Sequence, residues 1–421
     1  MRVLVVGGGA REHALVRSLL ADPDVSDVLA APGNAGIALD VATVPLDVTD
    51  AEAIGELAAD LMVDLVVVGP EGPLVAGAAD AVRARGIACF GPSKAAAALE
   101  GSKAFAKDVM AAAGVPTARS MHCASPEEVA AALDSLGSPY VVKDDGLAAG
   151  KGVVVTTDRG VALAHAAACA SVVVEEYLDG PEVSLFAVTD GVTVLPLVPA
   201  QDFKRAYDGD AGPNTGGMGA YSPLPWAPVD LVDEVLRDVL QPTVDELARR
   251  GTPFVGLLYA GLALTADGVR VIEFNARFGD PETQVVLARL RTPLAGVLHA
   301  AAVGGLADVV AAGGLSWSDD AAVTVVLAAP GYPEGPQTGG VISGLDGGDD
   351  GGGAGSALVL HAGTAIDPEG HIISTGGRVL CVVATGADLA GARDSAYSAL
   401  GRISLPGGQF RTDIALAASA P

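Results

Sequence analysis

Residues 1–100 repeat one pattern, an apolar run that ends in glycine or proline and is followed by a helical stretch. The four runs are RVLVVGGG, DVLAAPGN, DLVVVGPEG and GIACFGPS. Helical stretches such as REHALVRSLLA and PLVAGAADAVRAR lie between them. Short apolar strands that alternate with helices are typical of a doubly wound parallel sheet. Such a sheet binds ligands at the carboxyl ends of its strands, where all four of these endings fall.

The sequence after this region predicts further α/β structure. Residues 102–114 predict a helix, and residues 139–157 predict two strands around a glycine loop. Residues 201–225 show neither helical nor strand periodicity, and an irregular segment of that length in a compact domain is usually functional. Residues 344–356 are rich in glycine and aspartate and predict a flexible surface loop. Apolar runs near the C-terminus then predict a small closing α/β domain.

The turn after the first strand, GGGARE, is a candidate phosphate-binding loop. Gly7 and Gly9 fit the dinucleotide fingerprint G-x-G-x-x-G, but Glu12 stands at its third glycine. No isolated acid follows at the end of a second strand, where APGNAG forms another glycine turn, so a dinucleotide site is disfavoured. Two interpretations stay open. The backbone N–H groups hold a phosphate at the start of a helix, or the turn is tight and binds nothing.

Two lysines stand beside glycines where a triphosphate could bind. Lys143 ends a predicted strand, and Gly150, Lys151 and Gly152 follow in a loop that leads into another strand. This is not a P-loop, which needs a helix and a Ser or Thr after the lysine. Lys103 is a second candidate cation, at the start of the predicted helix. A single lysine is usually solvated, but two in this setting favour phosphate binding.

A group of acidic residues lies at and after the end of the next strand, VVVE. Glu175 and Glu176 end this strand, and Glu182 lies a few residues further on. One interpretation is an edge strand whose acids are solvated. Beside a nucleotide, the same segment could offer backbone groups to an adenine, and Glu182 could bind ribose hydroxyls.

The stretch EFNARFGDPET carries alternating polar residues after an apolar run. Side chains on a strand alternate between faces, so Glu273, Asn275 and Arg277 are expected on one face. Burying them is costly unless each is paired. Carboxylate and amide oxygens suit magnesium, and a guanidinium can bind a phosphate oxygen in bidentate fashion. We therefore predict a magnesium–triphosphate site, and the alternative is a polar strand that faces solvent.

The charge and cysteine content exclude several classes of protein. The formal net charge of −26 disfavours binding to nucleic acid or to an anionic membrane. Any anionic substrate must therefore be bound by a local cluster of donors. The four cysteines are widely spaced without a Cys-x-x-Cys pair, which fits a reducing cytoplasm better than a zinc site or disulfides. No signal peptide or membrane span is predicted.

Taken in order, several motifs resemble those of the glycinamide ribonucleotide synthetase family, the phosphoribosylamine–glycine ligases of purine biosynthesis. They are GGGAREHAL, APGNAG, GPEGPLV, GLAAGKG, GPNTGGMGAYSP, YAGL, EFNARFGDPETQ and HAGT…GGRVL. The match runs from the first strand to near the C-terminus. GPNTGGMGAYSP and EFNARFGDPET are its most specific parts, because a lone glycine loop occurs in many families.

The resemblance implies a fold and a reaction. The fold has an N-terminal doubly wound domain at 1–100, an ATP-grasp domain of two α+β lobes at 101–325 with its lid lobe at about 118–182, and a C-terminal α/β domain at 326–421. ATP would phosphorylate glycine, and the amine of 5-phosphoribosylamine would displace phosphate from glycyl phosphate. The products would be glycinamide ribonucleotide, ADP and phosphate. Phosphoryl transfer of this kind needs positioning and charge neutralisation more than a protein nucleophile.

The resemblance also assigns residues through the motifs that match. Phosphate contacts are assigned to Lys103, Lys143, Gly150, Lys151 and Gly152. Adenosine contacts are assigned to Glu175, Glu176, Leu178 and Glu182. Contacts to glycine and the phosphoribosyl part are assigned to Gly8, Gly9, Asn34, Asp202, Lys204, Pro213, Asn214, Thr215 and Gly216.

The expected metal ligands are Glu273 and Asn275, which would hold Mg²⁺ or Mn²⁺. Arg277, Asp280 and Lys143 are the residues expected to act in catalysis, with Arg277 stabilising charge on the acyl phosphate. Asp280 or Asp202 would accept the amine proton or hold the ammonium group of glycine. The preceding strand, VGLLYAGLALT, has no acid, so a second metal ion would depend on Glu273, Asn275 and the nucleotide.

Two other functions stay open from the sequence. One is another ATP-grasp carboxylate–amine ligase with a different acceptor, against which GPNTGGMGAYSP argues. The other is a nucleotide-binding or NAD-dependent module that does not ligate, against which Glu12 argues. The expected partners are the small molecules ATP, glycine and 5-phosphoribosylamine, and the chain is expected to be a monomer or a weak homodimer.

Overall fold

Parallel strands and helices alternate through the N-terminal part of the chain. The computed structural model describes residues 1–146, 152–345 and 356–420. The first strands are β1 (Arg2–Gly7), β2 (Asp27–Pro32), β3 (Ala42–Thr43), β4 (Leu65–Val68) and β5 (Ala88–Phe90). The helices are α1 (Ala10–Leu20), α2 (Ile37–Asp40), α3 (Ala51–Asp60), α4 (Glu71–Ala76) and α5 (Ala78–Ala84). The order β3-β2-β1-β4-β5, parallel throughout, confirms the doubly wound sheet.

Strand β1 is apolar without interruption because both of its faces are covered. Val3 and Val5 pack in one cluster with Leu15 of α1. Leu4 and Val6 pack in another cluster with residues of α3 and α5. Successive side chains point to opposite faces, so a central parallel strand must be apolar at every position. Strand β3 was not predicted, because two residues are too few to show a pattern.

A small antiparallel unit follows, which we call the lid. Helices α6 (Lys94–Gly101) and α7 (Lys103–Ala113) lead into it, and α7 confirms the helix predicted at 102–114. It follows a Ser102 cap and is closed by Gly114, whose backbone is left-handed. The lid contains β6 (Ser120–Cys123), α8 (Pro126–Leu136), β7 (Tyr140–Asp144), β8 (Val153–Thr156), α9 (Arg159–Ala168) and β9 (Val172–Glu175). Its strand order is β6-β9-β7-β8, which confirms β7 and β8 as partners around the glycine loop.

The central part holds the strand that carries the proposed metal ligands. Its strands are β10 (Glu182–Asp190), β11 (Val194–Pro196), β12 (Gln201–Asp202), β13 (Arg205–Tyr207), β14 (Ala211–Asn214), β15 (Gly219–Ser222), β16 (Val255–Thr265) and β17 (Gly268–Asn275). Its helices are α10 (Leu231–Val235) and α11 (Gln241–Arg249), with a 3₁₀ turn at Asp208–Asp210 and a π-helical turn at Leu236–Leu240. One sheet has the order β11-β10-β16-β17.

The C-terminal part contributes three strands to a sheet that also contains strands from the central part. Its helices are α12 (Glu282–Arg289), α13 (Leu294–Val303), α14 (Leu306–Ala311) and α15 (Leu389–Leu400). Its strands are β18 (Ala321–Ala328), β19 (Ala357–His361), β20 (Thr364–Ile366), β21 (Ile372–Ser374) and β22 (Arg378–Gly386). The sheet order is β12-β15-β18-β22-β19, so strands from 201–222 join strands near the C-terminus.

Two sequence expectations change at this sheet. The segment 201–225 is not irregular, because β12 to β15 lie within it and β15 pairs with the distant β18. Strand β18 also crosses the predicted boundary at 325/326, and we propose that the C-terminal unit starts before Ala321.

Most of the predicted loop at 344–356 lies outside the described residues. Among the helices that the structure describes, none is long and apolar enough to span a membrane.

Candidate active site

Strand β17 presents two oxygen-bearing side chains on one face. Glu273 lies opposite Gly261 and Asn275 opposite Tyr259 on the antiparallel partner strand β16. Phe274, between them, points to the core and is 3% exposed, which confirms the predicted alternation. Within the described ranges, neither polar side chain has a hydrogen bond or an ion pair. Their hard oxygen atoms suit a divalent cation, and the described residues contain no cluster of three or more His, Cys, Asp or Glu that could hold one alone.

Arg277 lies just past the end of β17 and is held between two carboxylates of the N-terminal region. Its Nε lies 3.2 Å from Glu71 Oε2, and its Nη2 lies 3.1 Å from Glu100 Oε1. Burial raises the pKa of Glu100 despite the neighbouring guanidinium. Burial also opposes ionisation of Glu71, but Arg277 and Arg11 outweigh it and lower the pKa of that carboxyl. The arginine thus ties the end of β17 to the parallel-sheet domain.

Lys143 of β7 is buried against Glu175 of β9, and a second lysine joins them. The Nζ atom of Lys143 lies 2.8 Å from Glu175 Oε2 and donates to the carbonyl oxygen of Ile272 at 3.1 Å. Lys107 of α7 lies 3.0 Å from the other oxygen, Oε1. The side chains are 5%, 4% and 13% exposed for Lys143, Glu175 and Lys107 respectively. Sequence reasoning missed Lys107, because a lysine on an amphipathic helix usually indicates a solvated face.

Lys103 is tied to the start of the glycine loop. Its Nζ donates to the carbonyl oxygen of Gly146 at 2.9 Å. The Asp145 carboxylate accepts hydrogen bonds from the backbone N–H groups of Lys103 and Ala104, at 2.6 and 3.2 Å, at the start of α7. Gly152 is the residue directly before β8, and its carbonyl oxygen accepts a hydrogen bond from the Asp144 N–H at 2.7 Å. Gly150 and Lys151, which are predicted phosphate contacts, lie outside the described residues.

The residues assigned to adenosine are separated by the end of β9. Glu175 is buried, whereas Glu176 is partly exposed and pairs with Arg119 at 2.6 Å. Leu178 is half-buried. Glu182, at the start of β10, forms an ion pair with Lys204. The Glu175 carboxylate therefore contacts two lysines in this structure, and the others line the connection between the lid and the central sheet.

Three acidic side chains act on Lys204. Burial opposes its charged form, but Asp202, Glu182 and Glu273 outweigh burial and raise the pKa of Lys204 well above its ordinary value. Burial raises the pKa of Asp202 to about 7, and Glu282 and Glu182 add to the rise against the effect of Lys204. Glu282, which begins α12, is 3% exposed and accepts hydrogen bonds from Tyr259 Oη at 2.7 Å and Ser184 Oγ at 3.0 Å. A cavity of about 520 Å³ lies beside Asp202.

The first glycine loop is filled by the protein's own carboxylate. Glu12 is 1% exposed, and its Oε2 accepts from the Gly9 N–H at 2.6 Å. A Cβ on Gly69 would lie 2.1 Å from Glu12 Oε1, so glycine is needed there. The N–H group that a dinucleotide phosphate would use is therefore occupied, which agrees with the rejection of a dinucleotide site.

Gly8 and Asn34 join two loops at the carboxyl edge of the parallel sheet. A Cβ on Gly8 would lie 2.4 Å from the carbonyl oxygen of Gly33. The Asn34 amide donates to the carbonyl oxygens of Gly8 at 2.9 Å and His361 at 2.8 Å, and accepts from the Ile37 N–H. The side chain of Asn34 is thus used within the protein and holds the loop in place.

The 213–217 loop meets Asp280 through residues of the C-terminal part. Arg378 Nη1 donates to the carbonyl oxygens of Gly216 and of Asp280, and Nη2 lies 3.1 Å from the Asp280 carboxylate. The Gly216 N–H donates to Tyr332 Oη at 3.0 Å, and Thr215 binds the Lys204 carbonyl oxygen. Pro213 and Asn214 end β14.

Both carboxylate oxygens of Asp280 are bound by neighbouring side chains. Gln284 Nε2 donates to its Oδ1 at 2.8 Å, while Arg378 contacts Oδ2. Burial favours the protonated form, but Arg378 and Arg11 outweigh burial and lower the pKa of Asp280. A Cβ on Gly9 would lie 3.6 Å from Asp280 Oδ2, so the first glycine loop and Asp280 share one site. Sequence reasoning missed Arg378 and Tyr332, whose positions follow only from the fold.

Residues 411–413, which follow α15 in the chain, bind the β13–β14 hairpin. Arg411, with a side chain 1% exposed, lies 2.8 Å from Asp210 Oδ1 and 2.6 Å from Asp413 Oδ2. The Thr412 N–H donates to Asp208 Oδ1 at 2.7 Å, and the Gly209 N–H donates to Asp413 Oδ2 at 2.8 Å. The segment Arg411–Asp413 thus fixes the tip of a hairpin whose far end carries Asn214.

The parallel N-terminal sheet, the lid and the central sheet with lysines and paired oxygens at their junction define the ATP-grasp architecture. Three family models match the chain: the phosphoribosylglycinamide synthetase N domain at residues 1–100, its ATP-grasp (A) domain at 101–283 and its C domain at 322–417. The chain belongs to the phosphoribosylglycinamide synthetase family.

Individual relatives agree with this membership. A phosphoribosylamine–glycine ligase of Streptomyces coelicolor is 68% identical over the whole of both chains, and one of Leifsonia xyli is 58% identical over 99% of both. A crystal structure of the Thermotoga maritima phosphoribosylamine–glycine ligase is 31% identical, with a TM-score of 0.84 over 98% of this chain and 100% of that one. Campylobacter jejuni biotin carboxylase, 13% identical with a TM-score of 0.71 over 97% of this chain and 92% of that one, shares the fold.

Proposed function

We propose that the chain joins glycine to 5-phosphoribosylamine in de novo purine biosynthesis. ATP is consumed through glycyl phosphate, and the products are glycinamide ribonucleotide, ADP and phosphate. The observation that carries the proposal is the contact between Lys143 Nζ and the carbonyl oxygen of Ile272, one residue before Glu273. It sets a cation suited to phosphate beside oxygens suited to a metal ion, as a metal-bound triphosphate requires.

The nucleotide end of the site divides its tasks among three groups. Lys103 and Lys143, with the loop of Gly150, Lys151 and Gly152, would bind phosphates. Glu176, Leu178 and Glu182, together with backbone next to Glu175, would contact adenosine. Glu273 and Asn275 would hold Mg²⁺ or Mn²⁺, which when bound neutralises charge on the transferring phosphoryl group. Arg277 would stabilise charge near the acyl phosphate with the N–H donors that Glu71 and Glu100 leave free.

The acceptor end of the site lies where the glycine loops meet the 213–217 loop. We assign the phosphoribosyl part and glycine to Gly8, Gly9, Asn34, Lys204, Pro213, Asn214, Thr215 and Gly216. Because the Asn34 side chain and the Gly9 N–H are already used, Asn34 and Gly9 would act by shaping the loops and through their remaining backbone groups. The lid would cover this region, since glycyl phosphate hydrolyses when water has access.

Of the two candidate bases, Asp202 fits the role better than Asp280. In the described part of the chain no other residue hydrogen-bonds to or forms an ion pair with the Asp202 carboxylate, and its pKa is raised to about 7. Asp280 has a lowered pKa and is bound by Arg378 and Gln284. A general base works best when its pKa lies near the working pH. We therefore assign proton removal from the incoming amine to Asp202.

This assignment predicts a pH dependence. A carboxyl with a raised pKa keeps its proton up to about pH 7, so the base is lost below that pH and gained above it. The ligation rate at saturating ATP should therefore rise with pH through about 7. Asp202→Asn should lower the rate by roughly 10²-fold and abolish this rise. A rise that persists in the variant would instead report ionisation of the substrate amine.

The proposed reaction is tested by ADP release from the purified chain. ATP, magnesium, glycine and freshly made 5-phosphoribosylamine are supplied together, and each is then omitted in turn. ADP that forms only with all four supports the ligase, and ADP with another acid or amine would favour a different ATP-grasp ligase. No ADP in any mixture would contradict ligation, and a nucleotide-binding module would remain.

Location and assembly complete the proposal. The four cysteines are all free, which supports a reducing cytoplasmic location. The proposed partners are small molecules, and the net charge of −26 argues against nucleic acid. We propose a monomer or a weak homodimer, which light scattering at several concentrations would test.

A further inference from the structure

Lys107 of α7 is a buried cation that the proposed reaction does not use. An ammonium group has three N–H donors, and Lys107 has three acceptors for them. Its Nζ donates to Thr117 Oγ1 at 2.9 Å and to the Ala118 carbonyl oxygen at 3.2 Å, and it lies 3.0 Å from Glu175 Oε1. Thr117 Oγ1 in turn donates to the carbonyl oxygen of Val271 on β17. Lys107 is therefore fixed to the protein in every direction.

Lys143 on the other side of Glu175 is bound less completely. Within the ranges that the structure describes, its Nζ has two partners, Glu175 Oε2 at 2.8 Å and the Ile272 carbonyl oxygen at 3.1 Å. One donor is left for a further acceptor. The Glu175 carboxylate therefore lies between one saturated ammonium group and one that can still bind an anion.

The charges of the three side chains do not cancel. Two ammonium groups and one carboxylate leave a net positive charge in a region where each side chain is largely shielded from water. Burying an uncompensated charge is costly, so this arrangement favours the arrival of an anion. If Lys143 turned toward that anion and Lys107 were absent, Glu175 would remain as a buried carboxylate without a cation.

We propose that Lys107 is a positioning residue that holds Glu175 while Lys143 moves from Glu175 to a nucleotide phosphate. The proposal rests on the function given above, in which Lys143 binds phosphate. Lys107 does not touch the nucleotide in this arrangement. It acts by keeping the Glu175 carboxylate neutralised, so that Lys143 is free to exchange its partner. The ion pairs of Glu175 accordingly link α7 to the lid, and its carboxylate does not recognise adenosine.

The test is a double-mutant cycle on MgADP affinity, measured by titration calorimetry with the purified full chain. In Lys107→Met the dissociation constant should rise at least about 10-fold, because release of Lys143 leaves Glu175 unpaired. Glu175→Gln should stay within about threefold of the native chain, since the neutral amide no longer holds Lys143. The double variant should match Glu175→Gln. Lys94→Met is the matched control, because Lys94 is an exposed lysine of the preceding helix, and it should bind MgADP like the native chain.

Each outcome decides between the proposal and its alternatives. Equal affinity of Lys107→Met and the native chain would overturn it, and so would a loss of about 10-fold or more in Glu175→Gln, which would make Glu175 a nucleotide contact. If Lys107→Met does not fold, unequal affinities of Glu175→Gln and the double variant would contradict the proposal. Failure of the native chain to bind MgADP would instead overturn the proposed function itself.

Discussion

Glu273→Gln is expected to slow magnesium-dependent ligation by at least roughly 10²-fold, which corresponds to about 2.7 kcal/mol in the barrier. The substitution keeps the shape of the side chain and removes its charge. Glu273 is half-buried, and within the described ranges it forms no hydrogen bond or ion pair, although its charge acts on Lys204, so its carboxylate oxygens are available for a cation. A metal ion held less firmly neutralises the transferring phosphoryl group less well. The measurement is ADP release as a function of magnesium concentration.

A matched control lies on the same pair of strands. Asp267 is exposed at the turn between β16 and β17, and Asp267→Asn removes the same charge away from the site. This variant should keep the native rate and the native magnesium dependence. Near-native turnover of Glu273→Gln would show that the metal assignment to this face is wrong.

Arg277→Met is expected to reduce both stability and turnover. Removing one partner of a buried ion pair costs about 3–5 kcal/mol, because the remaining charge stays buried and unpaired. Here two carboxylates, Glu71 and Glu100, would lose their shared cation and repel each other. The melting temperature should fall, and ligation should slow by about 10²-fold or more through the lost stabilisation of charge. Thermal unfolding and ADP release measure the two effects separately.

A second substitution separates the catalytic effect of Arg277 from its structural effect. Glu100→Gln added to Arg277→Met removes one unpaired charge and keeps an oxygen for the Ala276 N–H, which Glu100 Oε2 accepts at 2.7 Å. This double variant should recover much of the lost stability and remain slow. If its turnover returned along with its stability, Arg277 would be a structural link between β17 and the N-terminal domain only.

Local sequence patterns predicted the parts of the site that depend on local geometry. Strand alternation placed Glu273 and Asn275 on one face opposite Phe274, and this holds because β17 is regular from Glu273 to Asn275, after a bulge at Ile272. The doubly wound sheet was predictable for the same reason, since each central strand must be apolar on both faces. Such patterns depend on neighbours a few residues apart.

Pairing between distant residues could not be predicted from the same patterns. In the sequence, Lys107 has the pattern of a lysine on the surface of a helix. In the fold, Glu175 of β9 lies 3.0 Å from its ammonium group. The strands within 201–225 are two to four residues long, too short to show a period, and β15 has its partner β18 in a distant part of the chain. Arg378 gains its importance only when the fold places it beside Gly216 and Asp280. These contacts come from tertiary structure, which a single sequence does not display.

The contacts between Arg411–Asp413 and the β13–β14 hairpin have a consequence for how this chain folds during its synthesis. Thr412 and Asp413 bind Asp208 and Gly209, which leave the ribosome long before them. Contacts between residues so far apart in the chain close late in folding. The N-terminal sheet can form during translation, whereas the hairpin that carries Asn214 is expected to be fixed only after Arg411–Asp413 have left the ribosome. A chain stalled before these residues emerge would then contain a folded N-terminal sheet and a hairpin that is not yet fixed.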